Sequence, residues 1–192
     1  MPTLTPVELF TPRLKLRWMI APDAEAHYAV FSDPEVARYW SSGAWTALDQ
    51  AHEHIAATQA AYADGSGMRL GIELRDTGTL IGNASLHRFV DASRRCELGY
   101  ALAHAHWGYG YVSEALRALL DFGFTALDLN RVEADIDPRN HASAASLERL
   151  GFTRAGHLRE RWIVGDEVSD SWLYGLLRRE WETLDGSEAS GG

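Results

Sequence analysis

Two glycines one residue apart, Gly108 and Gly110, stand in HWGYGYV directly ahead of a long apolar helix pattern. The first turn of a helix has four backbone N–H groups without intrahelical partners, and the helix dipole is positive there. Glycine lets a ligand approach because it has no Cβ and tolerates positive φ. These features suit a phosphate or pyrophosphate, although the same Gly-x-Gly also serves as a plain tight turn between strand and helix. The triphosphate-binding pattern GxxxxGK[ST] is absent. A dinucleotide fingerprint needs a third glycine where Ser113 stands, in the first unit of a repeated βαβ fold, with Asp135 or Asp137 as the ribose acid. That reading is disfavoured.

The other chemically suggestive residues point to less. His52 and His54 are two apart on a helix and do not share a face. His104 and His106 have strand spacing but no cysteine or carboxylate cluster beside them, so no metal is expected. Cys96, the single cysteine, falls on the core face of a strand and reads as a small hydrophobe. Glu114 is placed either to meet the dipole of the helix or to sit on a solvated face.

The elements that must position these residues follow from the hydrophobic pattern. RLKLRWM (13–19) alternates like a half-buried strand. Helices are expected from Pro22–Asp23 to about Phe31 and from Ala47 to Ala63. RLGIELRD (69–76) and TLIGNASLHRF (79–89) form a hairpin across Thr77-Gly78, and CELGYALA (96–103) is a third antiparallel candidate. A largely buried helix spans Val112 to Leu129, with one polar stripe. Strand 131–137, a short helix 143–150 closed by Gly151, and strands near 156–164 and 171–177 complete the pattern. The order β-α-α-β-β-β-α-β-α-β-β predicts an α/β (α+β) fold. Its mixed, mostly antiparallel sheet carries helices on both faces, and the buried helix crosses between parallel neighbours.

The 192 residues suit one domain, taken as 1–184, with the small polar stretch DGSEASGG (185–192) expected to be a disordered tail. The 27 acidic against 18 basic residues leave a net charge of −9, which disfavours nucleic acid or an anionic membrane and suits a cationic acceptor such as an amine. No window approaches a membrane span, and MPTLTPVELF lacks the pattern of a signal peptide. With a lone cysteine, a cytoplasmic protein is expected.

ELGYALAHAHWGYGYVSEAL followed by NHASAASLERLGF resembles the GNAT acetyltransferases, in the branch that includes the ribosomal-protein N-terminal acetyltransferases RimJ and RimL. The second block stands without a gap as Asn140, Ser143, Leu147, Glu148, Arg149, Leu150, Gly151 and Phe152, and TPRLKLR and YGLLRREW also look like the branch. The resemblance implies a GNAT fold with acetyl-CoA as cosubstrate and no metal. The CoA pyrophosphate would lie on the loop and helix front at Trp107, Gly108, Tyr109, Gly110, Tyr111 and Val112. Ala101 and Leu102 would lie nearest the acyl arm, and Asn140 would hydrogen-bond the pantetheine, unless it is a turn residue. One departure is Ala105, where the family carries Gln or Arg; rearranged or weaker CoA binding is expected, with His106 or another side chain as substitute.

Within that resemblance Glu97 is the candidate base, directly or through water, with a structural ion pair to a neighbouring arginine as the alternative. Ser143 is the candidate acid for the leaving thiolate and also a candidate N-cap. Tyr39, Trp40 and Trp45 are candidate walls of the acceptor pocket. The implied activity moves an acetyl group to a primary amine, a protein N-terminus or small molecule, by direct attack in a ternary complex. The alternatives are an antibiotic or metabolite amine acetyltransferase and a non-catalytic acyl-CoA sensor. A monomer or homodimer is expected.

Overall fold

The computed structural model describes residues 4 and 7–189. The strands are β1 (Leu9–Phe10), β2 (Leu14–Trp18), β3 (Gly67–Leu74), β4 (Leu80–Val90), β5 (Arg95–Leu102), β6 (Arg131–Ile136), β7 (Thr153–Val164) and β8 (Glu167–Leu177). The helices are α1 (Ala24–Phe31), α2 (Pro34–Ala37), α3 (Asp49–Ala63), α4 (Tyr111–Thr125), α5 (His141–Arg149) and α6 (Arg178–Ala189). The strands form one sheet in the order β1-β2-β3-β4-β5-β6-β8-β7. Every neighbouring pair is antiparallel except β5 and β6. The parallel pair is the one that α4 connects, as the buried-helix pattern predicts.

Alternation along the strands divides the sheet into two faces. Leu70, Leu86, Leu98 and Val132 join Leu116, Leu119 and Leu120 of α4 in the main core. The opposite face is covered by α1, α2 and α3, where Ala24, Ala51 and Ile55 pack on Met19 and Leu80. Val30, Phe31 and Val36 close over Ala101.

Four features depart from the expected elements. The short β1 precedes β2, and the single turn α2 is capped by Asp33, whose carboxylate accepts from the Glu35 N–H at 2.9 Å. The long central helix stops at Thr125 rather than Leu129, because Asp128 takes a left-handed φ of 52° and turns the chain. Helix α6 continues through Ala189, so residues 185–189 are helical where composition suggested a disordered tail; residues 190–192 lie outside the described residues.

Candidate active site between two splayed strands

The parallel ladder of β5 and β6 holds for three pairs only, Arg95 with Arg131, Cys96 with Val132 and Glu97 with Glu133. Beyond Glu97, β5 stays paired to β4 as far as Leu102, and β6 stays paired to β8 as far as Ile136. The two strands therefore part, leaving one edge of Leu98–Leu102 without ladder partners. A cavity of about 440 Å³ occupies the gap. His87, Glu97 and Gly99 line it from the face of the sheet that carries α1 and α2. Leu98, Tyr100 and Ser143 line it from the α4 face. The cavity is thus lined from both faces of the sheet.

On the α4 side, the Tyr100 hydroxyl lies 2.7 Å from Ser143 Oγ. Burial pushes the Tyr100 phenol up to about 12, against a weaker opposing effect of its bond to Ser143, so it keeps its proton at neutral pH. Ser143 is not the N-cap of α5. Asn140 caps the helix, its Oδ1 accepting from the Ser143 N–H at 3.0 Å. The capping role and the hydroxyl chemistry thus fall on different residues. Asn140 and Ser143 both line the cavity.

On the other side, Glu97 accepts from Arg88 Nη1 at 3.0 Å, and His87 Nε2 stands 3.9 Å away. The ion-pair alternative is therefore present in the structure. It arises from a bulge between His87 and Val90, where Arg88 takes a φ of 52° and its side chain swings onto β5. Glu97 nevertheless retains 24% of its side-chain exposure and faces the cavity. His87 is pushed down to about 4 by burial and by the charges of Arg69 and Arg88, so its imidazole is neutral at physiological pH. Gly99 lies against it: a Cβ there would meet Ser85 Oγ at 3.1 Å and His87 Cε1 at 3.3 Å.

Above the gap, Gly108 and Gly110 adopt φ of 82° and 80°, and Gly110 is the N-cap of α4 with no side-chain cap over its first-turn amides. Trp107 and Tyr109 are 43% and 62% exposed. The Trp107 indole donates to the Leu102 carbonyl at 2.8 Å and ties the loop to the end of β5. Tyr109 stacks on Tyr111 at 5.8 Å. Tyr111 and Val112 form the first turn of α4, both partly buried.

Three of the residues expected at the acyl arm or the acceptor pocket do not line the cavity. Ala101 is buried under Val30, Phe31 and Val36 and does not line the cavity, because α1 and α2 close over that part of the strand. Leu102 is buried in the main core. Tyr39 and Trp40 line the cavity, but Trp45 does not; it stacks on Phe31 at 4.6 Å and stands edge-on to His27 and His54. Cys96 is buried and its thiol is pushed up to about 12 by burial first, then by Glu133 and Glu97, which suits packing and not nucleophilic chemistry. Among the described residues no cluster of three or more His, Cys, Asp or Glu side chains is arranged to hold a metal.

The sequence pattern did not single out His87, Arg88 or Tyr100. Alternation puts Tyr100 on the face opposite Glu97, beside Leu98, and its partner on α5 is more than forty residues away. The cross-strand register of His87 with Glu97 was readable only once the turn between β4 and β5 was known.

A parallel pair that opens after three register positions, beside a glycine-fronted helix, leaves an open strand edge and free helix-front amides around one gap. The profile of the Acetyltransferase (GNAT) domain matches residues 13–153, and the chain belongs to the GNAT acetyltransferase family. Membership makes it an acetyl-CoA-dependent N-acetyltransferase. Among its relatives, the uncharacterized N-acetyltransferase p20 of Bacillus licheniformis is 36% identical over 173 residues, covering 90% of this chain and 97% of that one. The [Ribosomal protein uS5]-alanine N-acetyltransferase of Escherichia coli is 28% identical over 121 residues, covering 62% of each. The fold matches that of Mycobacterium smegmatis RimJ, solved in complex with CoA-disulfide, with a TM-score of 0.83 at 24% identity over 91% of this chain and 89% of that one. Among the described residues no helix is long and apolar enough to cross a membrane.

Proposed function

We propose that the protein transfers the acetyl group of acetyl-CoA to a primary amine, with donor and acceptor meeting from opposite faces of the sheet inside the β5–β6 gap. The observation that carries this reading is the cavity lined by His87 and Glu97 on one face and by Tyr100 and Ser143 on the other. A cavity lined from both faces suits direct attack in a ternary complex, because donor and acceptor can each lie against one face and meet in it.

In this reading the amides of residues 108–112 hold the pyrophosphate, and the unpaired edge of Leu98–Leu102 and Asn140 hold the pantetheine arm. The amine nitrogen attacks the thioester carbon and the C–S bond breaks. Glu97, directly or through water and beside the neutral His87, takes the ammonium proton. Ser143 gives its hydroxyl proton to the leaving sulfur and takes one from Tyr100, whose phenol is reprotonated from solvent as Glu97 returns its proton there, so the thiol leaves neutral and both residues are restored. Tyr39 and Trp40 wall the acceptor side. The acceptor is a peptide N-terminus or a small amine, as for the relative named for alanine of a ribosomal protein.

The test is thiol release from acetyl-CoA across a panel of N-terminal peptides, polyamines, amino acids and aminoglycosides. Thermal shift with acetyl-CoA, CoA and NADH runs in parallel, since a ligand that binds only the folded state raises the midpoint. A midpoint that moves with the CoA ligands alone, and thiol release with at least one amine, is the expected result. No shift with either CoA ligand overturns the reading.

A further inference from the structure

The glycine loop is gripped from outside by the N-terminal segment. Arg13 Nη1 donates to the Tyr109 carbonyl, between the two glycines, at 2.9 Å. Its Nε and Nη2 both reach Glu114 Oε2 at 2.6 Å, and its backbone N–H donates to Glu114 Oε1 at 2.9 Å. Thr11 Oγ1 donates to the same Oε1. The guanidinium also lies 4.5 Å over the Tyr111 ring. One side chain therefore spans the loop and the first turn of α4.

Two consequences follow for an anion at the helix front. The carbonyl and the N–H of a trans peptide point in opposite directions. With the Tyr109 carbonyl fixed on Arg13, the N–H of Gly110 is turned to the other side, away from the guanidinium. Glu114, meanwhile, sets a carboxylate in the turn that would face a pyrophosphate. Burial alone would raise its pKa, but the hydrogen bonds from Thr11 and Arg13 outweigh burial and hold it below the usual carboxylate range, so it is ionised at neutral pH. Residues 104–112 include neither lysine nor arginine. Arg13, just ahead of β2, supplies the positive charge that pairs with Glu114.

We propose that Arg13 is the positioning residue of the acyl-CoA site: it orients the Tyr109–Gly110 peptide and neutralises Glu114, so that backbone amides alone accept the pyrophosphate. This rests on the CoA reading above. It also gives TPRLKLR a function at a loop nearly one hundred positions away.

Calorimetric titration with acetyl-CoA and with S-acetylpantetheine, which lacks the pyrophosphate, tests it. Arg13→Ala weakens acetyl-CoA by about tenfold or more, the factor that one lost charge-assisted hydrogen bond produces. Its affinity for S-acetylpantetheine stays within about twofold, as expected for a distant, independent contact. Adding Glu114→Gln to Arg13→Ala recovers part of the loss. Arg13→Lys, which keeps the charge without the fork, falls between Arg13→Ala and the native protein, and it carries the test if Arg13→Ala does not fold. Equal losses for both donors, or no loss for either, overturn the proposal. Failure of the native protein to bind acetyl-CoA overturns the CoA reading itself, which is a separate result.

Discussion

The hydroxyls of Tyr100 and Ser143 meet at 2.7 Å across the boundary between β5 and α5, inside the gap where the parallel ladder has ended. Because Asn140 takes over the capping of α5, the Ser143 hydroxyl has no capping duty. Ser143→Ala and Tyr100→Phe should each lower kcat by about a hundredfold, within the range for a positioned general acid. Affinity for acetyl-CoA should be kept. If the two act as one relay, the double variant is no slower than the slower single one. Steady-state rates with calorimetric CoA affinities check this; full additivity of the two losses would show separate roles.

Glu97 and Arg88 pose a different question, because the ion pair and the base use the same carboxylate. An exposed pair contributes about 1 kcal/mol or less, so neither Glu97→Gln nor Arg88→Ala should shift the urea midpoint much. Their effects on turnover should diverge. Glu97→Gln removes the base and should cost about a hundredfold in kcat, whereas Arg88→Ala leaves the carboxylate in place and costs far less. Equal activities for the two variants would reduce Glu97 to a structural partner.

Much of this arrangement is legible in the amino-acid sequence. The hairpin of β3 and β4, the crossover through α4 and the glycine-fronted helix follow from alternation, helical period and turn chemistry, which act within short windows. What was not legible depends on contacts between distant segments. The swing of Arg88 onto Glu97 needs a bulge whose position is set by the pairing of β4 with β5. The burial of Ala101 needs α1 and α2 to close over β5, and α2 is too short to show a period. Asn140 and Ser143 are both good cap residues three positions apart, and only the observed start of α5 separates them. Arg13 sits in a strand-like run that advertises alternation, not a grip on a loop.

Gly108 separates the backbone's need for glycine from the ligand's. Its φ is 82°, yet a Cβ built there meets nothing within 4 Å. Gly108→Ala should therefore cost only the left-handed strain, about 1–2 kcal/mol, seen as a lower thermal midpoint without ligand. If the pyrophosphate approaches this turn, the added methyl occupies space the ligand uses, and the stabilisation by acetyl-CoA shrinks as well. An unchanged ligand-induced shift in Gly108→Ala would place the anion elsewhere.

The pair His27 and His54 makes the fold sensitive to acid. His27 Nε2 lies 2.8 Å from His54 Nδ1, and His27 is fully buried between α1, α3 and the sheet. Burial first, then His54 and Arg69, push His27 down to about 3 against an opposing effect of Asp23, and burial followed by Arg69 pushes His54 down to about 4. Both folded values lie below the unfolded one of 6.5. Between those limits the unfolded chain binds more protons, so stability is complete above about pH 6.5 and falls as the pH drops toward 4. For His27 alone the slope is at most about 1.4 kcal/mol per pH unit. Urea midpoints at pH 7, 6, 5 and 4.5 should fall accordingly. The decline should be shallower in His27→Phe, which keeps a ring against Phe31 and Trp45 but cannot take a proton. A parallel decline in the two proteins would assign the acid sensitivity to other groups.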